Sequence, residues 1–436
     1  TFGKMSIVNR VITNFKFVSS KYEKFSTRLV EDDNISKELT RGVINYNPTV
    51  AANRKTNFLD EFLEHSFSED NVDTFSKILY PIVFIASIIS FVSSFYMTNN
   101  WYIALSAFCG VIVICSPFGH LFASNLPLRK ASKELSKVGG VVLGTSELED
   151  FSETNACLIN AIDLFPENTI AIHGIKTFSG TRIDEALVDA ASVVYSAKSI
   201  FTDVFMNIIS NKKDMLKKVD TIVYEEKMGI SAWVDNKRIL IGSRELMQHH
   251  DIDVPSKDYE DRYLNDASEL LYLSTSGELT AVFLIKINPT YEIQTYLRKL
   301  EENNIYVVIK TVDSIVVNKS LAENFDVDSD LFKILPSSSH STFDKQTAFA
   351  EKSSGAVSNN GSFVSLVSTL ICAKRLKFSI TLGIIIQLAS IVLGFGLMTL
   401  FILTNSLGQL TDSLMILYHF IWFLLTFILL KARSLT

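Results

Sequence analysis

The sequence predicts a membrane α-helical protein with four spanning helices that also carries a cytosolic α/β unit, itself interrupted by an inserted α+β domain. Three observations lead there. Apolar segments of about 20 residues, long enough to cross a hydrocarbon core, occur in two close pairs. Lysine and arginine crowd the outer flanks of those pairs and are absent from the short loops within them. Between the pairs, short buried-strand runs stand on either side of a helix-and-hairpin insertion.

Composition agrees with a mixed chain. The 436 residues are 47% hydrophobic with a mean hydropathy of +0.24, high for a soluble protein and low for a pure helical bundle. A net charge of −6 weighs against nucleic acid as a partner. The four cysteines, at 109, 115, 157 and 372, show no spacing of a disulfide framework. No secretory leader is visible.

Residues 1–70 read as an N-terminal cytosolic segment, basic at Arg10, Lys16, Lys21, Lys24 and Arg28 and expected to be solvated or to lie on the membrane surface. Phe58-Leu59-Asp60-Glu61-Phe62-Leu63 reads as an amphipathic helix leading into the bilayer. The first hairpin, within 71–125, comprises segments 78–97 and 101–122 joined by Thr98-Asn99-Asn100. The second, within 363–436, comprises 376–403 and 414–430. Lys77, Arg129, Lys130, Lys133, Lys137, Lys374, Arg375, Lys377, Lys431 and Arg433 all flank the hairpins. The positive-inside rule therefore puts both loops outside and the 125–375 block in the cytosol. The lipid bilayer is thus the first partner, and the plasma membrane the expected location.

Within the first hairpin, Cys115-Ser116-Pro117-Phe118 interrupts the second segment, because proline frees a backbone carbonyl that something else must satisfy. His120 follows. A proline kink beside an inert buried cysteine is the plainer reading; an ion path lined by Cys115, Pro117 and His120 is what the family resemblance given below implies.

The cytosolic block divides at 126–172, 173–283 and 284–362. Ala156-Cys157-Leu158-Ile159 is a short apolar run suited to a buried parallel strand, and it ends on Asn160. The carboxyl ends of such strands are where open α/β folds place their chemistry. Residues 183–191 have the apolar spacing of a helix, and Asp235-Asn236 marks a hairpin turn. His249-His250 read as solvated. Ile305-Tyr306-Val307-Val308-Ile309 is a second buried strand, which leads into Lys310-Thr311-Val312-Asp313-Ser314. A parallel sheet from 138–170 and 284–336, with Cys157 and Val307 in it together, is expected beside an antiparallel sheet from about 175–280.

Three features together resemble the heavy-metal subclass of the P-type cation-transporting ATPases. They are the strand into Asn160 between two apolar hairpins, the glycine-marked Val138-Gly139-Gly140-Val141-Val142-Leu143-Gly144, and the stretch from Gly229-Ile230-Ser231-Ala232-Trp233 through Ser243-Arg244-Glu245-Leu246-Met247. The resemblance covers about residues 58–436 and is most specific in that last stretch. It implies a haloacid-dehalogenase-like (HAD-like) phosphorylation domain with an inserted nucleotide-binding-type domain. It also implies ATP and Mg²⁺ as cofactors and a metal cation as cargo, with Cys115-Ser116-Pro117 at the place of the family's metal-binding proline motif.

Set against that family, the chain departs at each reactive motif. Asn160-Ala161-Ile162-Asp163 stands where the family has its phosphorylated Asp followed by Lys-Thr-Gly, and an amide cannot accept a phosphoryl group as a carboxylate does. Thr311 and Asp313 survive from the family's T-G-D, with Val312 replacing the glycine. Lys227-Met228-Gly229 stands for G-x-G, so Lys227 sets a side chain where a nucleotide would lie, or else reaches a phosphate; Gly229 is retained. Ser199-Ile200 falls at the His-Pro pair. Asn288-Pro289 replaces Asp-Pro. No D-G-x-N-D precedes the third membrane segment, and Asn359-Asn360-Gly361 offers no carboxylate for Mg²⁺. The actuator domain's T-G-E is absent, so that domain lies upstream of Thr1 or is missing, and a partner membrane protein or actuator-type domain is implied. The expected function is a pseudoenzyme with a scaffold or regulatory role, binding nucleotide weakly if at all through Ser199, Lys227 and Gly229. The alternatives are an active heavy-metal ATPase with atypical residues and a membrane-tethered phosphohydrolase of the haloacid dehalogenase class.

Overall fold

Short apolar runs bounded by polar residues fold here into two separate sheets. The computed structural model describes residues 24–432 apart from 68, 70, 118, 143, 145–147, 265–268 and 355–356, together with Ile12 and Lys16. The strands in chain order are β1 (Lys24–Leu29), β2 (Val50–Leu59), β3 (Gly140–Val142), β4 (Ala156–Asn160), β5 (Ile170–Thr177), β6 (Val219–Glu225) and β7 (Gly229–Val234). They continue as β8 (Lys237–Gly242), β9 (Glu269–Thr275), β10 (Glu278–Ile287), β11 (Tyr306–Lys310), β12 (Phe332–Ile334), β13 (Ala350–Ser353) and β14 (Val357–Asn359).

The first sheet runs β12-β11-β4-β2-β1-β14-β3, with β13 alongside β2. Its centre is parallel: Val307 pairs with Cys157 and Lys310 with Asn160, and Val50, Ala51 and Ala52 pair with Ala156, Cys157 and Leu158. Both faces are buried, which is why β4 and β11 read as unbroken apolar runs. Cys157, Ile159, Val307 and Ile309 face one core, while Ala156, Leu158, Val308 and Phe343 face the other.

The N-terminal segment differs from the solvated stretch expected of it. Strands β1 and β2 enter the first sheet, with Val50 and Ala51 fully buried. The apolar run in β2 is only Val50-Ala51-Ala52 before charged residues begin, so composition masked a strand whose burial comes from its neighbours. Lys24 and Arg28 lie on β1; Arg10 and Lys21 lie outside the described residues. The amphipathic helix expected at 58–63 is instead the end of β2 followed by the helix Phe62–Phe67. The sheet is accordingly mixed, because β1, β14 and β3 pair antiparallel.

The second sheet, β5-β10-β9-β8-β7-β6, is antiparallel throughout. Asp235 and Asn236 have φ of 48° and 60°, the left-handed pair of a tight hairpin turn between β7 and β8. The helix Ile183–Ala197 buries Ala186, Ala190, Val193 and Val194 and ends at Lys198, whose φ is 54°. The outer pair β5/β10 spans Ile170 to Ile287, so this sheet starts a little earlier and closes a little later than 173–283.

Among the described residues three helices are long and apolar enough to cross a membrane: Asn71–Thr98, Phe363–Leu403 and Asp412–Lys431. The expected fourth, 101–122, divides in two at the interruption read from its sequence. The helix Trp101–Ile114 has 14 residues, about 21 Å at 1.5 Å per residue, short of a core about 30 Å thick. The chain turns through Cys115 to Pro117 and resumes as the helix His120–Leu135. Pro117 lacks the N–H that would continue the ladder and disfavours helical geometry at Ser116. At the other end, Asn100 caps the helix, its Oδ1 accepting the Tyr102 N–H at 2.9 Å. Phe91 meets Trp101 and Phe108 edge to face, knitting the first two apolar helices together.

The helix Phe363–Leu403 spans 41 residues, about 60 Å. Phe363, Leu366 and Leu370 near its start belong to the core under the first sheet, and Ile391, Met398 and Ile402 to the apolar helical cluster. One rigid rod thus ties the sheet to the membrane helices.

Candidate functional site at the carboxyl edge of the first sheet

Strand alternation decides what surrounds Asn160. Ala156 and Leu158 share a core with Val50, Ala52, Val308 and Phe343, so residues two further along (Arg54, Asn160 and Lys310) emerge on that same face. The contacts agree. Lys310 lies over the Phe343 ring and pairs with Asp344 at 2.6 Å, and the Arg54 Nη2 donates to the Lys345 carbonyl at 3.3 Å. The helix His340–Thr347 supplies all three partners. Asn160 itself is exposed at the strand end.

Directly after Asn160 the chain winds into the single turn Ala161–Leu164. The Asp163 carboxylate accepts the Asn160 N–H at 2.9 Å. Burial pushes the Asp163 carboxyl up to about 6, against that hydrogen bond, which pulls the other way. Asp163 is therefore occupied with closing the turn.

Asp313 is occupied too. It is buried, accepts the Ile200 N–H at 3.0 Å and bonds the Ser199 hydroxyl, while the Asp313 N–H donates to the Thr311 hydroxyl at 3.1 Å. Burial raises its carboxyl to about 6 despite these bonds. Ser199 and Asp313, separate candidates in the sequence, thus form one clamp between the end of the helix Ile183–Ala197 and the loop after β11.

On the β2 side, Asn53 bonds Asn359: Nδ2 of Asn359 donates to Asn53 Oδ1 at 2.8 Å and to the Thr27 hydroxyl at 2.7 Å. The Gly361 N–H donates to Asn359 Oδ1 at 2.7 Å. Asn359 is fully buried in this amide and hydroxyl network.

Lys227 sits at φ 60° in the turn between β6 and β7 and faces a cleft with Thr311 and Asp313. Gly229 does not. It pairs with Gly242 across β7 and β8 at φ 139°, and a Cβ there would stand 2.4 Å from the Ile241 carbonyl oxygen. Strand contact therefore accounts for this glycine. His250, expected to be solvated, bonds Glu225 at 2.7 Å and Arg238 at 3.2 Å.

In the membrane region Cys115 is buried, its thiol 3.8 Å from the Ile391 carbonyl, and Pro117 is buried beside it. His120 opens the next helix, and its side chain lies outside the described residues. Among the described residues no three His, Cys, Asp or Glu converge as metal ligands. At the sheet edge the carboxylates of Asp163, Asp313 and Asp344 are each held by a different partner, so the donor set does not fit a hard Mg²⁺.

Arg54, Lys310, Glu226, Ser337 and His340 belong to this edge and were missed from sequence. Only β2 left a signal, a short apolar run ending in polar residues as β4 does.

No family model matches the chain. It is 20% identical over 269 residues to a copper-exporting P-type ATPase of Staphylococcus saprophyticus, covering 61% of this chain and 33% of that protein. To the copper-exporting P-type ATPase of Staphylococcus aureus strain bovine RF122 it is 23% identical over 155 residues, 35% of this chain and 19% of that one. The chain thus spans about a third or less of the curated relatives' length. Among solved structures, a zinc-transporting PIB-type ATPase in the E2.Pi state aligns with 82% of this chain and 63% of its own, at 15% identity and TM-score 0.42. The catalytic domain of the CPx-ATPase CopB-B aligns with 47% of this chain and 69% of its own, at 16% identity and TM-score 0.30. By sequence the chain is similar to copper-exporting P-type ATPases.

Proposed function

We propose that the chain is a membrane-anchored P-type ATPase core that has given up phosphoryl transfer and serves as a scaffold or regulatory subunit. The observation that carries this reading is Asn160, an amide at the carboxyl end of the central parallel strand, the position at which the sequence resemblance would put the family's phosphorylated Asp. Phosphoryl transfer needs a nucleophile, Mg²⁺ to neutralise charge, and groups positioned on the γ-phosphate. The amide supplies no nucleophile. Asp313 is committed to Ser199 and Ile200, and Lys310 to Asp344. In this reading four segments cross a plasma membrane, the fourth being 101–122 with its break at Pro117, and the two sheets lie in the cytosol. The occupants of Cys115, Pro117 and His120, if any, are metal cations of the kind the relatives are named for. Phosphoenzyme trapping on purified protein with labelled ATP and candidate metals is the test. No acid-stable, hydroxylamine-sensitive label is expected; a robust one would make the chain a working cation ATPase with atypical residues.

A further inference from the structure

Three helices change from apolar to basic at one depth. The helices His120–Leu135 and Asp412–Lys431 run side by side in the same direction. The Phe122 and Phe423 rings meet edge to face, 4.9 Å between centroids, and eight residues further along each helix the Lys130 ammonium donates to the Lys431 carbonyl at 3.0 Å. The helix Phe363–Leu403 passes in the opposite direction, with Gly383 so close to Ala123 that an added Cβ would stand 2.8 Å from the Ala123 Cβ. Six residues from that contact, about 9 Å, lead to Arg129 on one helix and to Lys377 on the other. The outward stripe of His120–Leu135 changes within itself: Phe122 and Leu126 are half-buried, and Arg129 and Lys133, the next residues on the same face, are exposed. Glu134 pairs with Lys130 at 3.8 Å and Glu153 with Lys377 at 3.5 Å. Arg129, Lys133, Arg375 and Lys431 make no ion pair among the described residues, and Lys431 lies over the Phe427 ring.

We infer that this level is a binding surface for anionic phospholipid, with the lipid phosphate held by Arg129 and Lys133 and an acyl chain lying along Phe122 and Leu126. A cation at the end of an apolar span reaches for water or a counter-ion, and at this depth of a leaflet the counter-ion is a headgroup phosphate. A zwitterionic headgroup brings its own ammonium, which the two basic side chains repel. A net negative headgroup of the phosphatidylglycerol class brings none, so charge complementarity selects it. A soluble anion would match the basic half of the stripe and leave the apolar half uncovered. The inference rests on the membrane placement proposed above and not on the loss of phosphoryl transfer.

The test is electron spin resonance of the full chain in phosphatidylcholine bilayers, with chain-labelled phosphatidylglycerol or phosphatidylcholine as the probe. Any spanning protein gives a motionally restricted fraction of both labels. Phosphatidylglycerol is expected to be preferred in that fraction by about threefold, and salt at about 1 M, where the screening length is about 3 Å, is expected to remove most of the preference. Arg129→Gln/Lys133→Gln should lose it. Lys212→Gln/Lys237→Gln, which removes two exposed charges beside the second sheet, should keep it. Equal restriction of the two lipids in wild type overturns the inference, as does a preference that survives in Arg129→Gln/Lys133→Gln. A preference abolished by soluble glycerol phosphate also overturns it, in favour of a free-anion site. If circular dichroism shows the double variant misfolded, the salt series on wild type decides: a preference that salt leaves unchanged is not electrostatic, and the inference falls. Absence of a restricted fraction for either label would remove the membrane placement itself, an outcome distinct from equal restriction of both.

Discussion

Ser199 hydrogen-bonds the buried Asp313 across the junction of the two sheets, and Ile200 adds its N–H to the same carboxylate at 3.0 Å. Two positions that look unrelated in sequence thus make a single polar clamp, closed by the Ser199 hydroxyl and the Ile200 backbone N–H on one carboxylate.

That clamp has a pH signature. Burial raises the Asp313 carboxyl to about 6 in the folded chain, against an ordinary value of 3.8. A raised carboxyl favours the protonated, folded form. Its contribution to stability is therefore complete below about pH 4 and is lost as pH climbs through 6, a difference on the order of 1–3 kcal/mol. Asparagine at this position does not titrate. The thermal midpoint of wild type minus that of Asp313→Asn should be larger at pH 5 than at pH 7. A difference that stays constant across this range would show that Asp313 ionises normally. Asp163, also raised to about 6, should add a slope of the same sign, removed in Asp163→Asn.

Gly229 and Gly277 make a controlled pair. Both have positive φ, 139° and 92°, but a Cβ on Gly229 meets the Ile241 oxygen at 2.4 Å and the Gly242 Cα at 2.6 Å, whereas nothing lies within 4 Å at Gly277. Gly277→Ala should cost about 1 kcal/mol, the conformational penalty alone. Gly229→Ala should cost about 3 kcal/mol or more, because β7 and β8 must separate. Thermal melts of the two variants distinguish these costs, and equal losses would mean that strand contact is not what holds Gly229.

How much of this was legible in the sequence depended on whether a residue's partners were local. The hairpin at Asp235-Asn236 needs only its own two dihedrals, and the strand at 156–159 only its own apolar run; both could be read directly. Pro117 announced a break but not its extent, and the helix ahead of it proves to be 14 residues long. Strand β2 was hidden because Val50-Ala51-Ala52 is buried by β4 and β1, which are remote in sequence or weakly patterned. The Ser199–Asp313 bond, at a separation of 114 residues, leaves no trace in spacing. Likewise Asn359 could be seen to lack a carboxylate, but not to be tied into Asn53 and Thr27.

Topology is the next expectation. Asn99 and Gln409 are exposed in the turns of the two hairpins, and neither turn contains Lys or Arg. With four crossings and both termini inside, Asn99→Cys and Gln409→Cys should both react with an impermeant maleimide on intact cells. Labelling of Gln409→Cys but not Asn99→Cys would mean that the broken segment 101–122 does not cross, leaving three spans. Protection of both until permeabilisation would invert the arrangement.

The final expectation concerns repair of the strand end. Asn160→Asp puts a carboxylate at the carboxyl end of β4, between Lys310 of β11 and the continuation of β2 toward Arg54. It should still give no phosphoenzyme. The Asn160 N–H is already bound by Asp163, which closes the next turn and leaves Ala161 and Ile162 where a phosphate would need an ammonium and a hydroxyl. Lys310 is neutralised by Asp344 at 2.6 Å, and freeing it would cost that ion pair. The neighbouring network is made of amides and a hydroxyl (Asn53, Asn359 and Thr27), which provide no anionic ligand for Mg²⁺. Charge neutralisation and positioning contribute most of the rate in phosphoryl transfer, so a nucleophile alone should leave labelling at background. Labelled ATP with the single variant decides it: robust, hydroxylamine-sensitive incorporation would mean that the remaining groups rearrange on binding and that only one atom pair separates this chain from an active site.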